Sequence, residues 1–91
     1  MSKAVVVFID KNPYRGYLLT NFIQTENGIT GFVENGLWDM KIDDHTFICY
    51  YPDGRIAEQY QIGSYTIVPV DYDGDDYNEP IQKAMEILGY G

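Results

Sequence analysis

The spacing of the turn signals constrains the fold of this chain more than any other feature of its sequence. Glu-Asn-Gly occurs at residues 26–28 and again at 34–36, Pro-Asp-Gly at 52–54 and Gly-Ser at 63–64. These residues supply the backbone angles that tight turns require. The segments between them are short, so residues up to 70 are predicted to form a meander of short antiparallel strands.

The segments between the turns have the composition of β-strands. Residues 4–9 are an unbroken apolar run, which predicts a central strand buried on both faces. Residues 37–42 alternate, with Trp38, Met40 and Ile42 on one face, which predicts a half-buried strand. Pro69 places the last strand at a sheet edge or near its own end. The other strands are predicted at residues 17–25, where the facing is ambiguous, and at 29–33, 46–51, 55–62 and 65–70.

Near the C-terminal end of the sequence, the spacing of apolar residues changes from that of a strand to that of a helix. Four side chains there form one helical stripe: Ile81, Ala84, Met85 and Leu88. Asn78 is the predicted N-cap and Gly89 the predicted stop. A helix of about three turns is unstable alone in water. It is therefore expected to pack on the sheet.

These patterns together predict an α+β fold. We expect an antiparallel, curled or barrel-like β-sheet of 5–7 short strands with one C-terminal helix packed on it. The 91 residues are expected to form a single domain, 1–91, because two domains would each be undersized. The strands are predicted within residues 3–70, an acidic turn at 71–78 and the helix at 79–89.

The charge of the chain restricts its partners. Six Lys and Arg stand against fourteen Asp and Glu, a net charge of −8. This charge repels nucleic-acid phosphates and anionic lipid surfaces, so direct nucleic-acid binding and membrane binding are disfavoured. The apolar run at residues 4–9 is also too short for a signal sequence or a membrane span. The favoured partner is a basic protein, such as a nucleic-acid-processing enzyme or complex.

The sequence contains few residues suited to catalysis. His45 is the only histidine and Cys49 the only cysteine, and on a strand they would stand roughly 13 Å apart. This distance is too long for a Cys–His pair. We therefore predict a binding protein rather than an enzyme, without a cofactor, and with Cys49 in the core. A single cysteine also favours a cytoplasmic location.

An acidic, tyrosine-containing segment is the candidate partner-binding site. Its residues are Asp71, Tyr72, Asp73, Asp75, Asp76, Tyr77 and Glu79. Carboxylates can bind Arg and Lys side chains, and Tyr adds contact area at low entropy cost. The alternative is a solvated acidic turn beside the positive end of the helix.

The same segment has alternating Asp residues next to a Gly, as a calcium-binding loop does. An EF-hand loop that starts at Asp71 requires Gly at the position of Asp76 and Glu at the position of Gln82, and a helix before it. The sequence fails these requirements, so no metal site is predicted. Further acids would extend the acidic surface if the strands brought them alongside it: Asp39, Asp43, Asp44 and Asp53.

In composition the chain resembles small inhibitors encoded by bacteriophages. It is short, acidic, rich in Tyr and poor in catalytic residues, as are anti-CRISPR proteins and uracil-DNA glycosylase inhibitors, some of which mimic DNA. It also resembles bacterial immunity proteins that bind basic nuclease toxins. The resemblance implies an inhibitor that blocks a basic, nucleic-acid-binding surface, in the host cytoplasm if a phage encodes it.

Two further hypotheses remain open at this point. The first is a binding site for a small ligand, a nucleotide or a metabolite, formed by Trp38, Tyr50, Arg55 and Tyr60. The second is a homodimer, because a thin core and a two-faced sheet leave apolar or Tyr-rich surface that a second copy would cover.

Overall fold

The structure, a computed structural model, describes residues 2–90. Its elements are β1 (Ser2–Ile9), β2 (Gly16–Thr25), β3 (Gly28–Val33), β4 (Trp38–Asp43), β5 (Thr46–Tyr50), β6 (Ile56–Gln61), β7 (Tyr65–Tyr72) and α1 (Asn78–Leu88). The strands form one antiparallel sheet in the order β6-β5-β4-β3-β2-β1-β7, and the sheet is not closed into a barrel. The predicted α+β class, with an antiparallel sheet and one C-terminal helix, is confirmed.

The connection between β6 and β7 curls the sheet. These strands are its two edges, yet only residues 62–64 join them. A connection of this length spans at most roughly 14 Å, so the two edges meet at this end of the sheet. The carboxylate of Asp10 accepts the backbone N–H groups of Gly63 at 2.6 Å and Ser64 at 3.3 Å. The connection is thereby held beside the end of β1.

β1 is buried on both faces, as its unbroken apolar sequence predicts. Its concave, inner side carries Val5, Val7 and Ile9. Its outer side carries Ala4, Val6 and Phe8. β1 lies between β2 and β7 in the sheet. Both of its faces are buried because the inner core lies against one face and α1 packs on the other.

The inner core is closed by aromatic side chains from strands that are distant in the sheet. The ring of Tyr17 on β2 lies 4.6 Å from that of Phe47 on β5, measured between centroids. Phe47 in turn stacks on Tyr60 of β6 at 6.0 Å. These contacts require a strongly curled sheet, because a flat sheet would hold β2 and β6 about 19 Å apart.

The outer core lies between α1 and the strands β7, β1 and β2. Ala84 is fully buried, whereas Met85 and Leu88 are partly buried. The predicted apolar stripe therefore faces the sheet. Gly89 ends the helix with a left-handed φ of 74°, as predicted, and the Tyr90 ring that follows packs edge-on against Phe8 at 5.2 Å.

A bulge in β2 explains why the facing of this strand was ambiguous in the sequence. The pairing with β3 shifts register between Thr20 and Ile23, and Asn21 has a positive φ of 50°. Before the bulge, Leu18 faces the helix and Leu19 faces the inner core. An extra residue changes the face of every side chain that follows, so simple alternation fails along this strand.

The predicted hairpin turns are present at both Glu-Asn-Gly sites and at Pro-Asp-Gly. At the first site Gly28 already belongs to β3, and a Cβ there would collide with the carbonyl oxygen of Ile42. Glycine is therefore required by close backbone approach. In the third turn Gly54 has a φ of 91° and donates its N–H to the Tyr51 carbonyl at 2.9 Å.

Two predicted boundaries and the predicted N-cap are corrected. β7 continues through Tyr72, so the acidic turn begins at Asp73 rather than residue 71. The helix begins at Asn78, and the N-cap residue is Tyr77, whose side chain makes no capping hydrogen bond among residues 2–90. Asp76 instead accepts the N–H of Asn78 at 2.9 Å. A carboxylate before the helix thus replaces the predicted Asn cap.

Candidate protein-binding surface

The acidic segment connects β7 to α1 and is ordered by its own carboxylates. Asp73 accepts the N–H of Asp75 at 3.1 Å, and Asp76 accepts that of Asn78 at 2.9 Å. These are local Asx turns, which fix the backbone without using up all the oxygens of either carboxylate. Its side chains from Asp73 to Glu79 are exposed, and Tyr77 is 41% exposed. The segment is accessible to a partner in a defined conformation.

Tyr72 lies among these carboxylates. It is the last residue of β7, and its half-buried ring packs against the outer core. Partial burial raises the pKa of its phenol, and the negative charges of Glu34, Asp73, Asp75 and Asp76 raise the pKa further. The raised pKa reflects the negative charges that lie near the Tyr72 phenol.

Glu34 comes from the β3–β4 turn, far from the acidic segment in sequence. Its Oε1 accepts the hydroxyl of Thr20 at 2.9 Å, and its N–H donates to the Leu18 carbonyl at 2.8 Å. The next residue, Asn35, accepts the N–H of Leu18 at 3.0 Å and donates to the Gly16 carbonyl at 3.1 Å. These hydrogen bonds therefore hold the β3–β4 turn against β2. Sequence reasoning missed Glu34, because Glu-Asn-Gly signals a turn but not the neighbours of that turn.

Two shallow cavities flank Tyr72. The first, of about 190 Å³, lies between the end of β7 and α1 and is lined by Asp71, Tyr72, Asp73, Asp76, Glu79, Pro80 and Lys83. The second, of about 290 Å³, is lined by Lys3, Thr20, Asn21, Glu34, Tyr72, Asp73 and Gly74. We call this region, with its two cavities, the Tyr72 surface. It is mainly acidic, with Lys3 and Lys83 as its basic members.

Asp71 differs from the other residues of the predicted site. Side chains alternate along β7, so Asp71 points to the opposite face of the strand from Tyr72. Its cross-strand partner is Lys3. These two residues also line a third groove, of about 500 Å³, which contains the apolar residues Val5 and Ile67. The charge of Asp71 is thus opposed by a neighbouring cation.

The four further acids, Asp39, Asp43, Asp44 and Asp53, do not extend the Tyr72 surface. Asp39 and Asp43 lie on β4, four strand spacings from β7, or roughly 19 Å along the sheet. Asp44 follows in the next turn, and Asp53 lies in the β5–β6 turn. The carboxylate of Asp43 accepts two backbone N–H groups at 2.8 Å, which lowers its pKa. That of Asp53 accepts the Nε–H of Arg55 at 2.7 Å.

The residues proposed for a small ligand do not converge. Trp38 and Tyr60 belong to the inner face of the sheet. Tyr50 alternates with the buried Cys49 and faces outward. Arg55 is exposed in a turn, where it pairs with Asp53 rather than with the other three. The small-ligand hypothesis therefore lacks a pocket shared by these four side chains.

Tyr60 instead belongs to a polar cluster that seals one side of the inner core. Its hydroxyl donates to Glu58 at 2.6 Å, and the guanidinium of Arg15 lies 5.0 Å from its ring centroid. Tyr17 is adjacent, and burial raises the pKa of its phenol. These contacts provide hydrogen-bond and charge partners for polar groups at the place where the curl of the sheet brings β6 close to β2. The role of the cluster is therefore structural.

His45 and Cys49 are placed in different environments. His45 is exposed in the β4–β5 turn, whereas Cys49 is fully buried on the inner face. Burial raises the pKa of the Cys49 thiol to about 12. Among residues 2–90, no group of three or more His, Cys, Asp and Glu side chains is arranged to hold a metal ion. In the same part of the chain, no helix is long and apolar enough to cross a membrane.

No protein-family model, curated protein or solved structure matches this chain. Its function is therefore inferred from its surface chemistry.

Proposed function

We propose that this chain is a small acidic inhibitor that binds a basic, nucleic-acid-binding surface of a partner protein. The observation that carries the proposal is that Glu34, Asp73 and Asp76 line the two cavities beside Tyr72. Their negative charges, with that of Asp75, raise the pKa of the Tyr72 phenol. Two separate parts of the chain contribute these carboxylates. Charge-assisted hydrogen bonds from Arg and Lys to carboxylates are stronger than those between neutral groups. Such a surface competes with phosphates for the same cations.

Order within the surface supports tight binding. The two Asx turns fix the acidic segment, and four hydrogen bonds fix the turn that carries Glu34. Groups that are already ordered lose less entropy when a partner binds. Tyr72 and Tyr77 add apolar contact area among the charges. The surface therefore combines charge with contact area.

The net charge of −8 supports the same proposal through association kinetics. A field of this sign attracts a basic partner over a distance and accelerates its encounter. The proposed partner is a nucleic-acid-processing enzyme or complex in the cytoplasm. The inhibitors that phages direct against host defences, and the immunity proteins that bind nuclease toxins, are the classes with this mode of binding.

Competitive capture tests the proposal. The immobilised chain is incubated with a native host lysate, and bound proteins are eluted with duplex DNA or with RNA. We expect a basic nucleic-acid-binding protein that nucleic acid displaces. A captured protein that remains bound in excess DNA and RNA would contradict the proposal, because the two ligands would then occupy different surfaces.

A matched pair of variants localises the binding surface. The test variant combines Glu34→Gln, Asp73→Asn and Asp75→Asn, and Asn retains the oxygen that accepts the local N–H. The control removes three exposed carboxylates elsewhere through Glu26→Gln, Asp44→Asn and Glu86→Gln. Both variants lose the same charge. We expect at least tenfold weaker capture only for the test variant, and equal weakening would indicate a general charge effect.

A further inference from the structure

β7 forms one edge of the sheet, and within the described chain it pairs with β1 alone. The N–H of Asp10 donates to the carbonyl of Ser64 at 2.7 Å, in the register that continues along the two strands. Hydrogen-bonded and non-hydrogen-bonded pairs alternate in an antiparallel ladder, so the even-numbered residues of β7 direct their backbone groups towards β1. The odd-numbered residues direct theirs to the free edge: Tyr65, Ile67, Pro69 and Asp71.

Pro69 occupies one of these outward positions. Proline has no N–H, so it interrupts a ladder wherever that group would face a neighbouring strand. At residue 69 no hydrogen bond to β1 is lost, because the pair of Val5 and Pro69 lies between hydrogen-bonded pairs. The N–H groups of Ile67 and Asp71 also point outward, and no backbone carbonyl within residues 2–90 accepts them. The free edge of β7 therefore offers unpaired donors and acceptors.

The third groove, of about 500 Å³, lies along the same part of β7. Its apolar members include residues from three strands: Val5, Phe22, Ile67 and Pro69. Its charged members are Lys3 and Asp71. Ile67 packs against the inner core, so the groove and the outward backbone groups share residues whose side chains face the inner side of β7. An open strand edge and an apolar groove therefore adjoin along residues 67–71.

The chemistry of this edge specifies an extended polypeptide as its ligand. An added strand lies about 4.8 Å from β7 and pairs its own N–H and C=O groups with the outward ones. Residues that are directly opposite in an antiparallel pair direct their side chains to the same face. The ligand residues opposite Ile67, Pro69 and Asp71 therefore direct their side chains to the face that carries the groove.

The groove also sets the preferred sequence of the ligand. Side chains opposite Ile67 and Pro69 adjoin the apolar members of the groove, so apolar side chains fit there. The side chain opposite Asp71 adjoins an exposed carboxylate, so Lys or Arg fits there. An antiparallel ligand runs from the Asp71 position to the Ile67 position. Its basic residue therefore comes first, and the two apolar residues follow at alternate positions.

We propose that the free edge of β7 binds an extended segment of a partner protein by strand addition, with the pattern basic–x–apolar–x–apolar. Charge favours a basic partner over a second copy of this chain, because each copy carries −8. Pairing of β7 with a second β7 would also bring a second Pro69 to the interface, and with it a second missing donor.

Titration of the isotopically labelled chain with a synthetic peptide tests the proposal. The peptide alternates Thr with Arg, Val and Ile, in that order, and hydrogen exchange of the backbone amides is followed by NMR. We expect the N–H groups of Ile67 and Asp71 to exchange at least about tenfold more slowly when the peptide is bound. Those of Val68 and Val70 already bind β1, so their exchange is expected to change little.

Methylation of single peptide nitrogens gives a matched control that leaves the protein unchanged. A methyl group on the Val nitrogen, opposite Pro69, removes the donor to the Pro69 carbonyl and is expected to raise the Kd at least about tenfold. The nitrogen of the next Thr points away from β7, and its methylation is expected to change the Kd less than about twofold. Equal effects of the two methyl groups would overturn the proposal.

A charge exchange tests the predicted position of the basic residue. Asp71→Lys is expected to raise the Kd of the Arg peptide about tenfold and to strengthen binding of a peptide with Glu in place of Arg. Asp44→Lys makes the same charge change in the exposed β4–β5 turn and is expected to have a smaller effect. Circular dichroism confirms the fold of both variants. Equal effects of the two substitutions, or unprotected Ile67 and Asp71 amides at millimolar peptide, would overturn the proposal.

This inference does not rest on the proposed function. The side chain of Tyr72 lies on the opposite face of β7 from the groove. The variant with Glu34→Gln, Asp73→Asn and Asp75→Asn is expected to bind the peptide with a Kd within about threefold of that of the parent chain. Loss of peptide binding with intact capture from the lysate, or the reverse, therefore assigns the failure to one of the two proposals.

Discussion

The two halves of the sheet differ in how many of their faces are covered. β7, β1 and β2 lie between the inner core and α1, so both faces of this half are buried. β3 to β6 bury only their inner face. The sequence reflects this difference, because residues 4–9 are continuously apolar whereas β4 alternates between buried and exposed residues. One short helix thus creates the asymmetry.

The two halves are expected to contribute differently to stability and to recognition. A side chain between two layers contacts neighbours on every side, so its removal leaves a cavity. A side chain on a face with one layer retains access to solvent and to partners. The Tyr72 surface lies at the edge of the double-layered half, and the uncovered outer side of β3 to β6 belongs to the single-layered half. The following experiments test this division, beginning with the largest expected effect.

A pair of phenylalanine truncations compares the two halves directly. Phe8 is fully buried under Tyr90, whereas Phe32 is half-buried on the outer face of β3. Phe8→Ala is expected to lower the free energy of unfolding by about 3–5 kcal/mol, and Phe32→Ala by about 1 kcal/mol. Urea denaturation measures both. Equal losses would contradict the distinction between the halves.

Two glycine substitutions test close packing in the single-layered half. Both Gly28 and Gly54 have positive φ angles, but a Cβ at Gly28 would collide with the Ile42 carbonyl, and one at Gly54 would enter open space within residues 2–90. Gly28→Ala is expected to cost about 2–3 kcal/mol and Gly54→Ala about 1 kcal/mol. Thermal unfolding compares the two variants. A Gly28→Ala protein as stable as Gly54→Ala would show that β3 and β4 are not in close contact.

Two substitutions in α1 test how this helix packs on β7, β1 and β2. Met85 packs on the outer core and is partly buried, whereas Ile87 is 65% exposed. Met85→Ala is expected to cost about 2 kcal/mol, the lower end of the range for a buried methionine. Ile87→Ala is expected to cost less than about 0.5 kcal/mol. Chemical denaturation distinguishes them, and a reversed order would mean that the helix presents another face to the sheet.

Alkaline pH is expected to weaken the inner core, which both halves share. Burial raises the pKa of Cys49 from 9.0 to about 12. Below pH 9 the thiol is protonated in both the folded and the unfolded states, so its full contribution to the free energy of unfolding is present. As the pH rises from 9 towards 12, the thiol loses its proton first in the unfolded state, which stabilises that state. The free energy of unfolding is therefore expected to be lower by about 1 kcal/mol at pH 10.

Cys49→Ala isolates this contribution. The variant is expected to be less stable at pH 7, because the buried side chain is shortened. Its stability should nevertheless fall less than that of the parent chain between pH 7 and pH 10. Urea denaturation at both pH values measures the two slopes. Identical slopes would indicate that the thiol is accessible to solvent in the folded chain.

The smallest effect on stability is expected at the Tyr72 surface. Asp73 and Asp75 are exposed, and Asn retains the oxygen that accepts the local N–H. Asp73→Asn combined with Asp75→Asn is expected to change the free energy of unfolding by less than about 1 kcal/mol. Denaturation of the double variant measures this change. A loss comparable to that of Met85→Ala would assign these carboxylates a structural role.

Several boundaries show where sequence reasoning was insufficient. The acidic composition of residues 71–72 predicts a turn, yet β7 continues because β1 still offers a pairing partner, with Ser2 opposite Tyr72. Asn78 has the chemistry of an N-cap, yet it is already the first residue of α1, and Asp76 accepts its N–H in a local turn. In the first place a tertiary contact outweighs local preference, and in the second place one local hydrogen bond replaces another.

The amino-acid sequence is sufficient to establish the class of the fold, the turns, the strongly buried first strand, the helical stripe and the negative charge. These properties depend on alternation, on turn chemistry and on composition, which act over a few residues. Pairing between distant segments brings Glu34 beside Tyr72 and turns the Asp71 side chain to the opposite face of β7. It also leaves Asp39, Lys41 and Asp43 on one uncovered side of the sheet. The physical reason is register: shifting a strand by one residue reverses its faces, and pairing between distant segments sets that shift.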